Sequence, residues 1–554
     1  MSPADSDEKA QAATSRLSRA CSGLRESVRA AVHHFVTHTG VGIVCAVAYF
    51  DPGNWGVDLQ AGSQYGYKLL FVVLLSGIFA VFLQILASRL GCVTGLDLAA
   101  HCRLLLHSRA KHTLVYRWTL LYPLYILSEA AIIATDLAEL LGSAIALVLL
   151  FPKLPLWAGV LVTASDVFIL LALKDPLGGK PVRLFEIIIG VLVLIVLICM
   201  AVIIAQVHVR WSDTFDGFLP SGSLFKSGGL YTSIGIIGAT VMPHSIFLGS
   251  ALSTQNRLPQ SKDKLSRTES SLTVDSEVTC VPRKFKLSLP RPTELLRRSR
   301  RWFANTFRVV PIDEFSPEPK THTDHENNSY AFVRAHIYHG MIDITLSLLG
   351  LAVVINSLIL ILASAVFYYG EGQGTGGPAS LFDAYDLLKR IIGQGSATLF
   401  ALALLASGQS SSIIATMAGQ TVSEGFLRWR VSPIFRRVVT RAIGLVPAMA
   451  VAIAAGRGGV DTLLVASQVA LSIVLPFIVF PLLYLTSSRE IMSVKRDAAC
   501  TPSADSTGVR DVEGVVETVD YSNPKIVTVL GWLLWIVIVA ANVYAIVSLA
   551  LGQE

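Results

Sequence analysis

Ala48-Tyr49-Phe50-Asp51-Pro52-Gly53-Asn54 interrupts an apolar run that begins near Val41, and Met242-Pro243-His244 interrupts a second run, Ile234 to Val241. Proline removes a backbone donor and clashes with the preceding turn, and glycine adds freedom, so Pro52, Gly53 and Pro243 predict that both helices unwind at these points. Inside a bilayer, unpaired backbone is tolerated only where it is buried in protein or lines a cavity. The breaks fall in the first and sixth of eleven apolar segments, the leading members of two consecutive sets of five. Broken helices at matching positions of two halves are the sequence mark of a transporter binding site. The expected fold is therefore all-α and membrane-integral, with two inverted five-helix repeats (helices 1–5 and 6–10) and an eleventh helix at the end.

The bulk properties agree. Of 554 residues, 53% are hydrophobic and 15% charged, with a mean hydropathy of +0.59. Soluble domains carry about a quarter charged residues, so a single soluble domain is excluded. The eleven segments, each about 20 residues as a spanning helix requires, centre near Ala46, Phe79, Leu127, Val162, Leu192, Ile236, Val354, Leu404, Val446, Ile473 and Ile536. Phe151-Pro152-Lys153-Leu154-Pro155 is the expected turn between the third and fourth. Of the seven cysteines none forms a C-x-x-C pair, so neither a zinc site nor a disulfide framework is read.

The net charge of +6 sits in particular loops and reports topology rather than nucleic-acid binding. Arg103, Arg109, Lys111 and Arg117 follow segment 2; Arg428, Arg430, Arg436 and Arg437 follow segment 8; Arg489, Lys495 and Arg496 follow segment 10. Basic loops after even-numbered helices place the N-terminus in the cytoplasm. The expected divisions are a cytoplasmic tail 1–38 without a signal peptide, a first repeat 39–206, a second repeat 228–485 interrupted by a disordered cytoplasmic insert 258–328, a cytoplasmic loop 486–523, and helix 11 at 524–549. The insert is polar and basic, a composition that does not fold alone, and is where regulatory partners or anionic lipid would bind. Asn327-Asn328-Ser329 matches a glycosylation acceptor but would lie on the wrong side of the membrane.

The groups at the breaks suggest the cargo. Asp51 supplies a carboxylate, Asn54 an amide oxygen, Ala48 and Ala239 freed backbone carbonyls, and Met242 a thioether. Hard oxygens alone suit Mg²⁺ or Ca²⁺; the sulfur tilts the set toward softer transition metals. A carboxylate at the bilayer midplane costs about 3 kcal/mol on insertion scales, which argues for a function. Asp51 before Pro52 also reads as an ordinary helix N-cap, Met242 as a core residue and His244 as a hydrogen-bonded polar residue. Segment 3 carries Glu129, Asp136 and Glu139, the last two on one helical face, as a proton relay or as partners of an arginine such as Arg257 or Arg441. Asp166, Glu186 and Asp343 are further intramembrane acids.

The stretch Ala48 to Asn54 with Asp58-Leu59-Gln60-Ala61-Gly62, and Met242-Pro243-His244, resembles the two signature motifs of the Nramp family of metal–proton symporters. Ser128-Glu129 with Ala134 to Glu139 resembles its third helix, and Ser407 to Ser411 with Ala418-Gly419-Gln420 its eighth. The neighbours Phe50 and Trp55 are most similar to the fungal manganese and iron branch. The resemblance implies a LeuT-like fold and metal ligation by Asp51, Asn54, Met242 and the Ala239 carbonyl, with the Ala48 carbonyl joining in an inward-open state and Gln468 in an occluded one. It implies proton transfer through Asp136 and Glu139 with His244 nearby, Mn²⁺ or Fe²⁺ as cargo, H⁺ as co-substrate, and no cofactor. Plasma, endosomal or vacuolar membranes all suit it. An organic-solute carrier of the same architecture would not need Met242; a metal sensor would bind without flux; a membrane enzyme finds no nucleophile–base pair here.

Overall fold

The computed structural model describes residues 40–109, 111–164, 183–222, 228–257, 319, 321–370, 372, 379–428, 433–496 and 517–550. The chain divides into two units: 1–40 with 257–279, nearly all of it outside the described residues, and 41–256 with 280–554, which carries everything that follows. Asp166 and most of the insert lie outside the described residues.

Among the described residues eight helices are long and apolar enough to cross a membrane, and Val41–Phe50 and Val438–Ala454 are shorter apolar helices. One of the eight, Pro52–Thr94, runs the second part of segment 1 into segment 2. Segment 4 is described only from Leu156 to Ala164, so the count of eleven is not established. The expected turn is present: segment 3 ends at Leu150, Leu154 N–H donates to Phe151 O at 2.8 Å, and a new helix starts at Leu156.

Segment 1 is split into Val41–Val47, a 3₁₀ turn Ala48–Phe50, and Pro52–Tyr65, with Asp51 extended between them (φ −63°, ψ 168°). Segment 6 is split into Gly229–Thr240 and Pro243–Leu252, with Val241 and Met242 non-helical. Both breaks fall where proline demanded. Segment 7 is one helical run, Tyr330–Tyr368, that widens to π geometry at Leu348–Val353 and Ser364–Tyr368. Close packing around the first break depends on glycine: the Pro52 ring occupies the space a Cβ on Gly142 would need. Segment 1 begins against segment 7, where the Asp343 carboxylate accepts from Gly42 N–H at 2.8 Å, so Asp343 caps a helix.

The chain after segment 10 forms a two-stranded antiparallel ribbon, Ser493–Lys495 with Thr518–Asp520, Val494 opposite Val519. Residues 321–328, expected as part of the disordered insert, are instead fixed by side-chain bonds. Asn327 Nδ2 donates to Ile491 O and Ser493 O, both at 2.8 Å, and Asn328 Nδ2 to Cys92 O at 2.9 Å. Both protons of the Asn327 amide are used, which also speaks against its modification. Nearby, Thr94 Oγ1 donates to Leu90 O at 2.7 Å, so it accepts from His101 Nε2 at 2.8 Å. His101 Nδ1 is then the acceptor for His322 Nε2 at 3.0 Å, while His325 Nε2 donates to Thr94 O at 2.7 Å. Burial, together with His322 and His325, holds the His101 imidazole well below its ordinary pKa; burial, then His325 and Arg109, lowers His322 to about 4.

Candidate metal-transport site

Breaking a helix frees carbonyls that must be paired when buried. At the first break two side chains from other segments do this: Asn356 Nδ2 (segment 7) donates to Tyr49 O, and Ser407 Oγ (segment 8) to Phe50 O, each at 2.7 Å. Sequence reasoning missed both roles. Asp51 caps the second half-helix, Pro52–Tyr65, as the bland reading held: its Oδ1 accepts from Asn54 N–H at 2.9 Å and from Asn54 Nδ2 at 2.8 Å. The cap uses only one oxygen. Asp51 Oδ2 is buried with no hydrogen-bond partner.

Asn54 Nδ2 also donates to Ala239 O, at 3.0 Å, so one amide links the two breaks. Gln468 of segment 10 closes on the same turn, because its amide fills the space beside Gly53 that a Cβ would take. Gln468 Nε2 donates to Ser467 Oγ at 3.2 Å, and its Oε1 is buried without a partner. Two acceptor oxygens, Asp51 Oδ2 and Gln468 Oε1, thus lie unbonded around one short turn. An unpaired buried acceptor costs about 1–3 kcal/mol, and a cation between such groups offsets that cost. Met242, fully buried, opens the second half of segment 6 three residues after the Ala239 carbonyl. Ala48 is buried in the 3₁₀ turn. Asp58, one turn beyond Asn54, is also buried with an unbonded Oδ2.

The acids of segment 3 meet arginines of segment 9. Arg441 Nη1 lies 3.7 Å from Asp136 Oδ1 and donates to Asp136 O at 3.0 Å, and its Nη2 reaches Ser412 Oγ at 2.5 Å. Glu129 takes both bonds of a fork from Arg436 Nη2, at 2.8 and 2.7 Å. Arg436, read from the sequence as a loop residue, is in the helix Pro433–Ala454. Asp136 and Arg436 line one crevice with Thr416 and Thr440. Glu139 is fully buried on the same helix. His244 Nδ1 meets Thr135 Oγ1 at 3.2 Å; that hydroxyl donates to Ala131 O, so the ring donates to it. His244 thereby joins segment 6 to segment 3 beside Asp136.

Two discontinuous helices, cross-linked through one amide and lined by unpaired oxygens, define an integral membrane transporter rather than an enzyme. The sequence model of the family described as natural resistance-associated macrophage protein-like matches residues 42–281 and 318–500. The chain belongs to this family, Nramp. It is 40% identical over 523 residues to the manganese transporter pdt1 of Schizosaccharomyces pombe, covering 94% of this chain and 87% of that one. It is 36% identical over 530 residues to the iron transporter SMF3 of Saccharomyces cerevisiae, covering 94% and 97%. A crystal structure of the Eremococcus coleocola manganese transporter superposes with a TM-score of 0.66 at 29% identity, over 93% of this chain and 87% of that one. The fold is that of this manganese transporter.

Proposed function

We propose that this protein imports a divalent transition metal, Mn²⁺ or Fe²⁺, toward the cytoplasm together with protons, by alternating access. The observation that carries the proposal is the pair of unbonded oxygens, Asp51 Oδ2 and Gln468 Oε1, beside an amide that joins both helix breaks. The relatives support the cargo: those just described are named manganese and iron transporters. In this reading the ion sheds water among Asp51, Asn54, the Ala239 carbonyl, Met242 and Gln468. Binding draws Asn54 from its bond to Ala239, leaving that carbonyl free for the metal. The halves of segments 1 and 6 then pivot, and Ala48 O replaces Gln468 as the site opens inward. The thioether disfavours Ca²⁺.

The proton would travel from Asp51 past His244 to Asp136, with Glu139 and the Glu129–Arg436 pair beyond. Arg441 lies against Asp136 on this route, 3.7 Å from its carboxylate. The basic loops support a cytoplasmic N-terminus and a cytoplasmic loop 486–523. The test is Mn²⁺ flux into proteoliposomes with and without an inward proton gradient, for wild type and Met242→Ala. Flux that rises with the gradient, and a Met242→Ala variant that loses its preference for Mn²⁺ over Ca²⁺, is the expected result. Folded protein without metal flux would overturn it.

A further inference from the structure

Away from the breaks, the outer surface of segment 2 carries Ile78, Phe82, Ile85 and Arg89 at spacings of four, three and four, a single helical face. Segments 7 and 11 flank it. A Cβ on Gly340 of segment 7 would lie 3.5 Å from the Ser88 hydroxyl; one on Gly531 of segment 11 would lie 2.6 Å from Leu483 of segment 10 and 3.6 Å from Phe82. Each flank turns apolar side chains outward: Ile342 and Leu346 on one, Ile526 and Val529 on the other. Along segment 2 this face is an apolar trough only in burial, exposed at Ile78 and half-buried at Phe82 and Ile85, with the half-buried Arg89 guanidinium at its end.

Among the described residues no carboxylate pairs with the cations at that end. Arg89 spends its donors on neutral oxygens, Asn523 Oδ1 at 2.8 Å and Tyr521 O at 2.7 Å. Arg334 is exposed within electrostatic reach of Tyr521, and Tyr338, 67% exposed, within reach of both Arg89 and Tyr521. Lys525 opens segment 11 two residues past Asn523. Three carboxylates of the neighbouring ribbon and loop are already paired with other cations: Asp520 with Arg489 at 3.0 Å, Glu517 with Arg496 at 3.2 Å, Glu326 with Lys495 at 3.4 Å. Among the described residues Arg89, Arg334 and Lys525 form no ion pair. Tyrosine and arginine at the end of an apolar trough mark the headgroup level of a bilayer.

We propose that this trough holds one anionic phospholipid, its chains along Ile78, Phe82 and Ile85 and its phosphate among Arg334, Tyr338 and Lys525. Charge complementarity selects the occupant: a lipid with net negative charge supplies what Arg89, Arg334 and Lys525 lack, and a zwitterionic one does not. The proposed orientation puts this end at the cytoplasmic leaflet, which is the anionic one. By bridging segments 2, 7 and 11 the lipid would brace the surroundings of segment 1 without touching the metal site.

The full-length protein is reconstituted in phosphatidylcholine vesicles with and without phosphatidylserine, extracted in detergent, and its retained lipid counted by native mass spectrometry. Wild type is expected to retain phosphatidylserine in preference to phosphatidylcholine. Arg334→Ala lowers that retention by about fivefold, the effect of one surface cation on an anionic headgroup. Arg334→Lys, which keeps the charge, restores it and shows that the loss is not misfolding. Equal retention by wild type and Arg334→Ala would overturn the proposal. So would full displacement of the lipid by soluble glycerophosphoserine, which would make the basic cluster a free-anion site with no role for the trough.

Discussion

The side-chain amide of Asn54 donates to the backbone carbonyl of Ala239 at 3.0 Å, joining two helix breaks 185 residues apart in the chain. The same nitrogen donates to Asp51, so this one group sets the spacing of a carboxylate from a carbonyl that both belong to the proposed coordination sphere. Asn54→Ala removes both bonds and leaves buried acceptors behind. It is expected to destabilise the metal-free protein by about 1–3 kcal/mol and to abolish Mn²⁺ uptake. Thermal unfolding in detergent and proteoliposome flux measure the two effects; unchanged uptake would remove Asn54 from the site.

Ser407 separates structural support from ligation. Its hydroxyl pairs the freed Phe50 carbonyl and is assigned no contact with the ion. Ser407→Ala should cost about 1–3 kcal/mol of stability while leaving Mn²⁺ affinity within a few-fold of wild type, as isothermal titration would show. Gly53→Ala should do the reverse. A methyl there displaces the Gln468 amide, and since alanine is the better helix former, the loss is expected in metal affinity rather than in melting temperature.

The Glu129–Arg436 pair is nearly enclosed, with side-chain exposures of 18% and 10%. Removing one partner of such a pair strands the other, a loss of about 3–5 kcal/mol when burial is complete. Arg436→Ala should therefore be less stable than the double variant Arg436→Ala with Glu129→Gln. Flux driven by the proton gradient should fall in both. A double variant no more stable than Arg436→Ala would show that the pair is not coupled.

The His101–His322 bond predicts an acid response at the loop face. Both rings are held neutral in the fold, with His322 lowered from its ordinary 6.5 to about 4. The unfolded chain therefore binds more protons in this window, and stability rises with pH. The contribution is complete above about 6.5 and declines as pH falls toward 4. Wild type should lose melting temperature between pH 7 and pH 5 more steeply than His322→Gln; parallel slopes would mean that the ring is free to protonate.

The breaks were legible because proline and glycine act locally: Pro52 and Pro243 end helices whatever surrounds them. Asp51 and Asn54 were legible because a carboxylate and an amide stood at the first of those breaks. The partners of the freed carbonyls were not. Asn356 and Ser407 sit inside uninterrupted helices, and nothing in their neighbours tells which backbone oxygen a polar side chain will meet across the bundle. A signal existed in kind, since every freed buried carbonyl needs a donor and polar residues within spans are few. Gln468 entered through family likeness alone. Residues 321–328 were misread because composition reports what a segment can bury, whereas Asn327 and Asn328 are held by amide bonds to backbone carbonyls that composition does not weigh.

The first half of segment 1 is seven residues long, Val41–Val47, about two turns. A helix that short does not persist alone in water. It is bolted to segment 7 at both ends, at Gly42 by Asp343 and, just past its end, at Tyr49 by Asn356. Once those bolts are drawn, only packing against segments 5, 6 and 8 holds the piece helical where it meets water. Motion that pulls it from segment 7 is therefore a melting transition as much as a swing, and its rate should answer to denaturant and helix-promoting solvent in a way that the rotation of a rigid lever would not.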